Sequence, residues 1–285
     1  MILDCHCHVW ERWPYQPLVP DAATRAAPEQ LLFEMDQSGV ETAVLIAAAI
    51  GGNPRNADFA FAAAQRYPGR FVVFPDLECF WSPDYGEAGA SGRLQQALER
   101  WDFAGFTVYL AEDEDGSRLT APDGLAFFTL AAERRLIVSL SAWPHQLAAV
   151  VDLAQRLPTL VLLLHHFAFF GPRSGTGPDL RAALASASAC GNIHVKYSGM
   201  GNVAAPEHDY PYASLGWLPL EMARAFGSSR MLWGSDWPVS QRYMTYRQSL
   251  MLLKRHGPFS DAECMAVGGN NMMQLLTDAA QGRFA

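Results

Sequence analysis

The chain opens Met1-Ile2-Leu3-Asp4-Cys5-His6-Cys7-His8-Val9. An apolar start runs directly into a His-x-His pair. Side chains of an extended strand alternate faces. Asp4, His6 and His8 are therefore expected on one face, and Cys5 and Cys7 on the other as small barrel-wall residues. Two imidazoles one step apart on a strand can converge on one metal ion or on one developing oxyanion. A second polar cluster, Gly234-Ser235-Asp236-Trp237-Pro238, closes the last apolar strand. What lies between the two clusters decides how they meet.

Between them, apolar strands alternate with helices. The pattern predicts strands over 2–6, 42–47, 71–74, 105–110, 136–141, 159–165, 193–198 and 230–234. Helices are expected over 29–38, 57–67, 93–101, 123–134, 145–156, 180–189 and 214–226. Pro28 opens the first of these and Gly39 stops it. The tail is helical, with Ser260 and Glu263 reading as a capping box on 261–267. Strict alternation means an α/β protein with a parallel sheet and crossover helices. Eight units in 285 residues is the size of a single (β/α)8 TIM barrel, taken as one domain, 1–285, with C-terminal helices. A doubly wound open sheet is the competitor. No Gly-x-Gly-x-x-Gly or Walker-type loop follows any strand, which argues against it.

Composition narrows the partners. Half of the residues are hydrophobic and 18% are charged, with a net charge of −8. That is a globular chain without the basic stripe a nucleic acid would need. No basic stretch precedes an apolar one at the start, so no signal peptide is expected. The longest apolar stretches, 43–52 and 160–164, fall far short of the ~20 residues that span a bilayer. Five cysteines, an odd count, give no disulfide framework and fit a reduced, cytoplasmic setting. The expected partner is a small molecule, with no nucleic acid and no membrane; a homo-oligomer is compatible with the sequence.

In a barrel of this kind, active-site groups come from the C-terminal ends of strands. His6 and His8 end the first strand, His165 and His166 the sixth, Lys196 and Ser198 the seventh, and Asp236 follows the eighth. Only one of His165 and His166 is expected to point inward. Lys196 shares a face with His194 and Ser198, and points either into the barrel or under the helices. The ordinary alternative for Asp236 is a turn aspartate. Aromatic residues crowd the loops at this end: Trp10, Trp13, Trp81, Tyr109, Trp143, Phe169 and Trp237. They suit a cleft that packs against a flat ring. Arg12, Arg55, Arg173 and Arg242 lie on loops that reach toward the mouth and could hold a carboxylate. The substrate-binding candidates are Arg12, Trp81, Tyr109, Arg173, Lys196 and Trp237.

His6-x-His8, the Leu-Leu-Leu-His-His segment ending at His166, Val195-Lys-Tyr-Ser-Gly199, Leu232-Trp-Gly-Ser-Asp-Trp-Pro238 and Gly269-Asn-Asn-Met-Met-Gln-Leu-Leu276 occur in that order. Together they resemble the amidohydrolase superfamily, in its amidohydrolase-related branch. Within it they are most similar to the lactonases, the 2-pyrone-4,6-dicarboxylate and sugar-acid enzymes. The resemblance implies His6, His8, His166 and Asp236 as catalytic residues and as metal ligands. The chain departs from the pattern in three places. Residues 138–143 offer Ser139 and Ser141 where many metal-bearing members have a strand-five histidine. His165 and Ala168 stand where the lactonases have Asp and Gly, and Thr107 stands where they tend to have a basic residue. A binuclear site would lack ligands. Three His and one Asp could hold one divalent ion, zinc or manganese, with an open position. Without a metal, the histidines would stabilise the oxyanion themselves.

The expected reaction is hydrolysis of a small lactone or cyclic ester, on a carboxylated ring or a sugar lactone. Asp236 would activate a water, and His6, His8 and His166 would polarise the carbonyl directly or through the ion. Two alternatives stand beside it: a metal-dependent decarboxylase or C–C hydrolase of the same superfamily, and a non-catalytic binding protein on a degenerate barrel. A serine triad has no Gly-x-Ser-x-Gly elbow to rest on.

Overall fold

The computed structural model describes residues 1–281. Eight parallel strands follow one another in chain order. β1 (Leu3–Cys7), β2 (Thr42–Ile46) and β3 (Phe71–Phe74) form one sheet. β4 (Gly105–Tyr109), β5 (Ile137–Ser141), β6 (Leu162–Leu164), β7 (Ile193–Tyr197) and β8 (Met231–Trp233) form the other. Backbone hydrogen bonds beyond the strand ends bridge both seams. At β3 and β4, Thr107 N–H donates to Pro75 and Leu77 N–H donates to Thr107. At β8 and β1, Asp236 N–H donates to His6 and His8 N–H donates to Trp237. The result is the expected α/β barrel.

Each crossover carries a helix: α1 (Pro28–Ser38), α2 (Asn56–Arg66), α3 (Ala90–Arg100), α4 (Pro122–Glu133), α5 (Leu147–Arg156) and α6 (Pro178–Ala189). The short α7 (Met200–Val203) and α8 (Trp217–Phe226) lie between β7 and β8, and α9 (Tyr246–His256), α10 (Asp261–Met265) and α11 (Asn271–Gln281) follow. Helix ends follow local chemistry. Pro28 fits the first turn of α1, where an N–H has no helical partner anyway. Gly39, at φ 68°, ends that helix and donates to the Asp36 and Met35 carbonyls. Ser260 and Glu263 form the expected capping box on α10. Among the described residues no helix is long and apolar enough to cross a membrane.

Two apolar layers hold the barrel. The outer one lies between strands and helices and includes Val9, Leu45, Phe106, Leu164, Val195 and Trp237. The inner one fills the barrel with Leu3, Cys5, Val44, Ile46, Phe74, Ile137, Leu163 and Leu232. Phe74 reaches across the interior because β4 offers Gly105 there; a Cβ on that glycine would lie 2.5 Å from the Phe74 ring. Burying such a ring stabilises the fold by about 1.5–3 kcal/mol. Met272 of α11 joins the inner layer, with Leu275 and Leu276 against it, and closes the barrel at the end away from the histidines.

The strict alternation expected for the first strand does not hold. Asp4 pairs with Ala43 and Cys7 with Leu45, so β1 spends three steps where β2 spends two. This is a β-bulge. Cys5 joins the inner layer with Val44, while Cys7 lies in the outer layer with Leu45. His6 also turns inward. Asp4 is moved off the histidine face, and its Oδ1 accepts from the backbone N–H groups of His6 and Ser235. The sixth strand is also shorter than expected, ending at Leu164.

Candidate active site

At the C-terminal mouth, β1, β6, β7 and β8 deliver their polar residues to one point. Gly234 lets β8 come close to β1; a Cβ there would meet the Cβ of His6 at 2.7 Å. The chain then turns through Asp236, which sits in the left-handed region at φ 57°. Its Oδ1 faces three imidazoles. His8 Nε2 is 3.4 Å away, His6 Nε2 3.5 Å and His166 Nε2 3.9 Å. Its Oδ2 accepts a hydrogen bond from Asn202 Nδ2 at 2.9 Å. All four members of the expected set therefore meet, and all four are buried.

The second partners of the rings set their orientation. His8 Nδ1 donates to the Ile46 carbonyl at 2.8 Å, which turns its Nε2 toward Asp236. Its ring stacks on Trp10, whose indole N–H is tied to the Ala48 carbonyl. His166 Nδ1 lies 2.9 Å from Ser198 Oγ. Gly199, at φ 60°, makes room for this; a Cβ would lie 2.3 Å from His166 Nδ1.

Both strand-six histidines reach the cluster, against the expectation that only one can. β6 ends at Leu164, so alternation no longer governs them. From His166 the chain makes a left-handed turn, with φ of 43°, 56°, 54° and 52° at His166, Phe167, Ala168 and Phe169. Left-handed residues other than glycine cost roughly 1–2 kcal/mol each. Buried Phe167 and Ala168 hold the turn in the core. His165 Nε2 lies 2.7 Å from Ser139 Oγ, and its ring meets His6 edge to face at 4.5 Å. Ser139, one of the two strand-five serines, thus serves His165.

Lys196 points inward and is wholly buried. Its Nζ donates to Ser139 Oγ at 2.6 Å and contacts His6 Nδ1 at 2.9 Å. It lies among the histidines rather than at the mouth. Burial, partly offset by nearby anions, brings its pKa down to about 8. Burial and then the Lys196 charge push His6 and His165 well below the usual imidazole range. Burial takes His166 down to about 4, with Asp236 opposing. Burial raises Asp236, but His166, His8 and Asn202 outweigh it and leave the carboxyl below its usual value.

The remaining candidates divide. Tyr109 packs its ring against His165 and Trp81 at the mouth. The Trp81 indole donates to Asp76. Phe169 stands between His166 and Trp143. Arg173 lines a cavity of about 750 Å³ with Arg242, His208 and Tyr243. Arg242 lies over Tyr15, which meets Trp10 edge to face. Arg12 is exposed, and its backbone N–H is held by Asn53. Trp237 is wholly buried in the outer layer, so its side chain is a packing element, and its carbonyl accepts from the His8 N–H. Sequence reasoning missed Asn202, an ordinary asparagine of the short α7 whose one signal is its place three residues after Gly199.

The donor set suits a single ion. Separations of 3.4–3.9 Å between Asp236 Oδ1 and the imidazole nitrogens are near the ~3.4 Å edge of a tetrahedron with ~2.1 Å metal–ligand bonds. His6, His8 and Asp236 form one group able to hold a metal, and His6, His165 and His166 a second.

The chain is similar to several known proteins. The family profile described as "Amidohydrolase" matches residues 3–276. An L-fucono-1,5-lactonase from Burkholderia ambifaria is 25% identical over 252 residues, covering 84% of this chain and 81% of the relative. Two solved structures share the fold. One is an amidohydrolase from Burkholderia multivorans with bound zinc (TM-score 0.79, 19% identity, 97% of this chain and 99% of that one). The other is a probable 2-pyrone-4,6-dicarboxylic acid hydrolase from Acinetobacter baumannii (TM-score 0.78, 19% identity, 97% and 99%).

Proposed function

The chain belongs to the amidohydrolase family, and from that premise we propose that it hydrolyses a small lactone, with Asp236 as the proton-transfer group. The observation that carries the reading is a buried carboxylate whose Oδ2 is tied to Asn202 while its Oδ1 faces three imidazoles. The lactonase relative supports the substrate class.

Water placed at Oδ1 loses a proton to Asp236 as its oxygen bonds to the lactone carbonyl carbon. The carbonyl electron pair moves onto oxygen, beside the imidazoles that stabilise it. As the ring C–O bond breaks, the proton held on Asp236 passes to the leaving oxygen. The product is the open hydroxy acid. Tyr109, Trp81, Phe169 and Trp10 form the apolar rim that keeps bulk water out and packs against a ring.

A divalent ion, if resident, would be held by His6, His8 and Asp236, with His166 as the candidate fourth ligand. It would supply Lewis acidity and lower the pKa of a bound water. The lactonase resemblance, a zinc-bearing fold neighbour and the donor set support zinc or manganese, at one ion per chain.

Initial rates over a panel of sugar-acid 1,4- and 1,5-lactones and 2-pyrone-4,6-dicarboxylate, read as acid release with a pH indicator, test the proposal. Turnover with kcat/KM above about 10⁴ M⁻¹s⁻¹ on one class is expected. No turnover on any member, with metal-loaded or metal-free protein, would overturn it.

A further inference from the structure

The mechanism above leaves the cavity of about 750 Å³ beside α7 without a role. Arg173 and Arg242 line it, and they come from the two loops that continue the chain beyond His166 and Asp236. Arg173 sits in a tight turn closed by the Gly175 N–H on the Gly171 carbonyl at 2.8 Å, and its own N–H donates to Val203 of α7 at 3.1 Å. Arg242 belongs to the turn that starts at Asp236, whose carbonyl accepts from the Ser240 N–H. Gly201 of α7 seats Tyr243, since a Cβ there would meet its ring at 2.3 Å. The next residue, Asn202, holds Asp236. The cavity therefore begins one residue away from the partner of the catalytic carboxylate.

Both guanidinium groups are uncommitted. Nine arginines of the chain are paired with carboxylates; among the described residues Arg173 and Arg242 are not. Arg242 Nε donates to the Val239 carbonyl at 3.2 Å, and its Cζ lies 5.0 Å from the Tyr15 ring and 5.3 Å from the Tyr243 ring. Two rings and a carbonyl fix the group, and its Nη edge keeps its donors. His208 and one carboxylate, Asp209, share the lining. Two positive charges against one negative leave the wall cationic even with His208 neutral. A guanidinium fork matches a carboxylate in shape as well as in charge. Tyr15 joins the cavity to the centre. Its ring lies under Arg242 and meets Trp10 at 5.8 Å, and Trp10 stacks on His8. Burial and then the Asp236 charge raise the pKa of its hydroxyl, with Arg242 opposing, so this hydroxyl lies in the field of both.

We propose that the cavity is a subsite for a carboxylate that the substrate carries away from its reacting carbonyl, held by Arg173 and Arg242. The substrate class is then a lactone bearing a free carboxylate rather than an uncharged sugar lactone. The class rests on the lactone-hydrolysis reading; the anion site does not. Both arginines are exposed, so each contributes about tenfold to binding, the low end for a charge-assisted hydrogen bond.

The test uses matched lactones. D-Glucaro-1,4-lactone ends in a carboxylate, and D-glucono-1,4-lactone is the same ring ending in a hydroxymethyl group. 2-Pyrone-4,6-dicarboxylate and unsubstituted 2-pyrone make a second pair. Each is assayed with wild type, Arg173→Met, Arg242→Met and the double variant, beside a thermal melt. On the pair that is turned over, wild type should favour the carboxylated member at least tenfold in kcat/KM. Each single substitution should raise the KM of that member about tenfold with kcat within threefold, and the double about 10²-fold. The uncharged member should change less than threefold. Equal losses on both members overturn the proposal, as does an unchanged KM on the carboxylated one or a wild type that prefers the uncharged one. Titration calorimetry with D-glucarate and 2-pyrone-4,6-dicarboxylate reads the anion site without turnover. Binding of one of them to wild type, weakened at least 30-fold in the double variant, is expected; binding of neither, or binding the double variant keeps, overturns the site. If no lactone is opened but this loss is seen, the lactone reading falls and the anion site stands. If lactones are opened with no dependence on either arginine, the anion site falls alone.

Discussion

Asp236→Asn probes the centre of the cluster, and the structure dictates how the new amide must sit. Asn202 Nδ2 donates to Oδ2 at 2.9 Å. It keeps an acceptor only if the amide oxygen of the variant takes the Oδ2 position. The amide nitrogen then falls where Oδ1 was, with imidazole nitrogens at 3.4, 3.5 and 3.9 Å. An acceptor becomes a donor at the point where water should give up its proton, while size and the Asn202 contact are kept. Loss of a general base costs about 10²–10⁴-fold, or about 3–5 kcal/mol at 1.36 kcal/mol per decade. The assay is kcat and KM by acid release on the best lactone, paired with a thermal melt. The expected variant melts within a few degrees of wild type, and kcat carries the loss. A folded variant with more than a tenth of wild-type kcat refutes Asp236 as the base. A raised KM at unchanged kcat refutes it too, and makes the carboxylate a binding group only.

Gly199→Ala should push His166 out of the cluster, because its Cβ would lie 2.3 Å from Nδ1 and its φ of 60° is strained for alanine; stability should fall by about 1–3 kcal/mol in urea titration, with kcat down at least tenfold. Gly234→Val should be worse for stability than for binding, since the new side chain meets His6 Cβ at 2.7 Å on the seam between β8 and β1; a melting temperature within 2 °C of wild type would contradict this. Burial raises the Asp4 carboxyl to about 6, against lowering by Ser235 and the His6 N–H. Its folded pKa lies above the unfolded value of 3.8, so its stabilising contribution is complete below that value and is lost as pH rises through about 6. Asp4→Asn should therefore gain stability relative to wild type by up to ~3 kcal/mol between pH 4 and pH 7.5, measured by paired denaturant titrations; a pH-independent difference would sink the assignment.

The alternation of apolar strands and helices was legible because a parallel barrel buries both faces of each strand and leaves its polar residues at one end. His6, His8 and Asp236 stood out for the same reason. Local backbone departures hid the rest. The bulge after Asp4 carries no glycine or proline, so strict alternation put Asp4 beside the histidines and Cys5 away from the interior; the structure reverses both. His165 and His166 looked mutually exclusive because nothing in Leu-Leu-Leu-His-His announces that the strand stops at Leu164, nor that four non-glycine residues then turn left-handed. The orientation of Lys196 was open from sequence, since its two partners lie 57 and 190 residues away. Trp237 was read from its neighbour Asp236, but it packs outward while the aspartate turns in.

The seam between β8 and β1 has a consequence for folding. Ser235 N–H meets the Asp4 carboxylate across 231 residues of chain, and Asp236 meets His6 and His8 over nearly the same span. Contacts this distant in sequence carry a large loop-closure entropy and come late in assembly. The first and last strands must both be in place before base and imidazoles share a point. Turnover therefore reports ring closure: in a refolding time course, activity should return with the slowest phase, after helical circular dichroism has largely recovered.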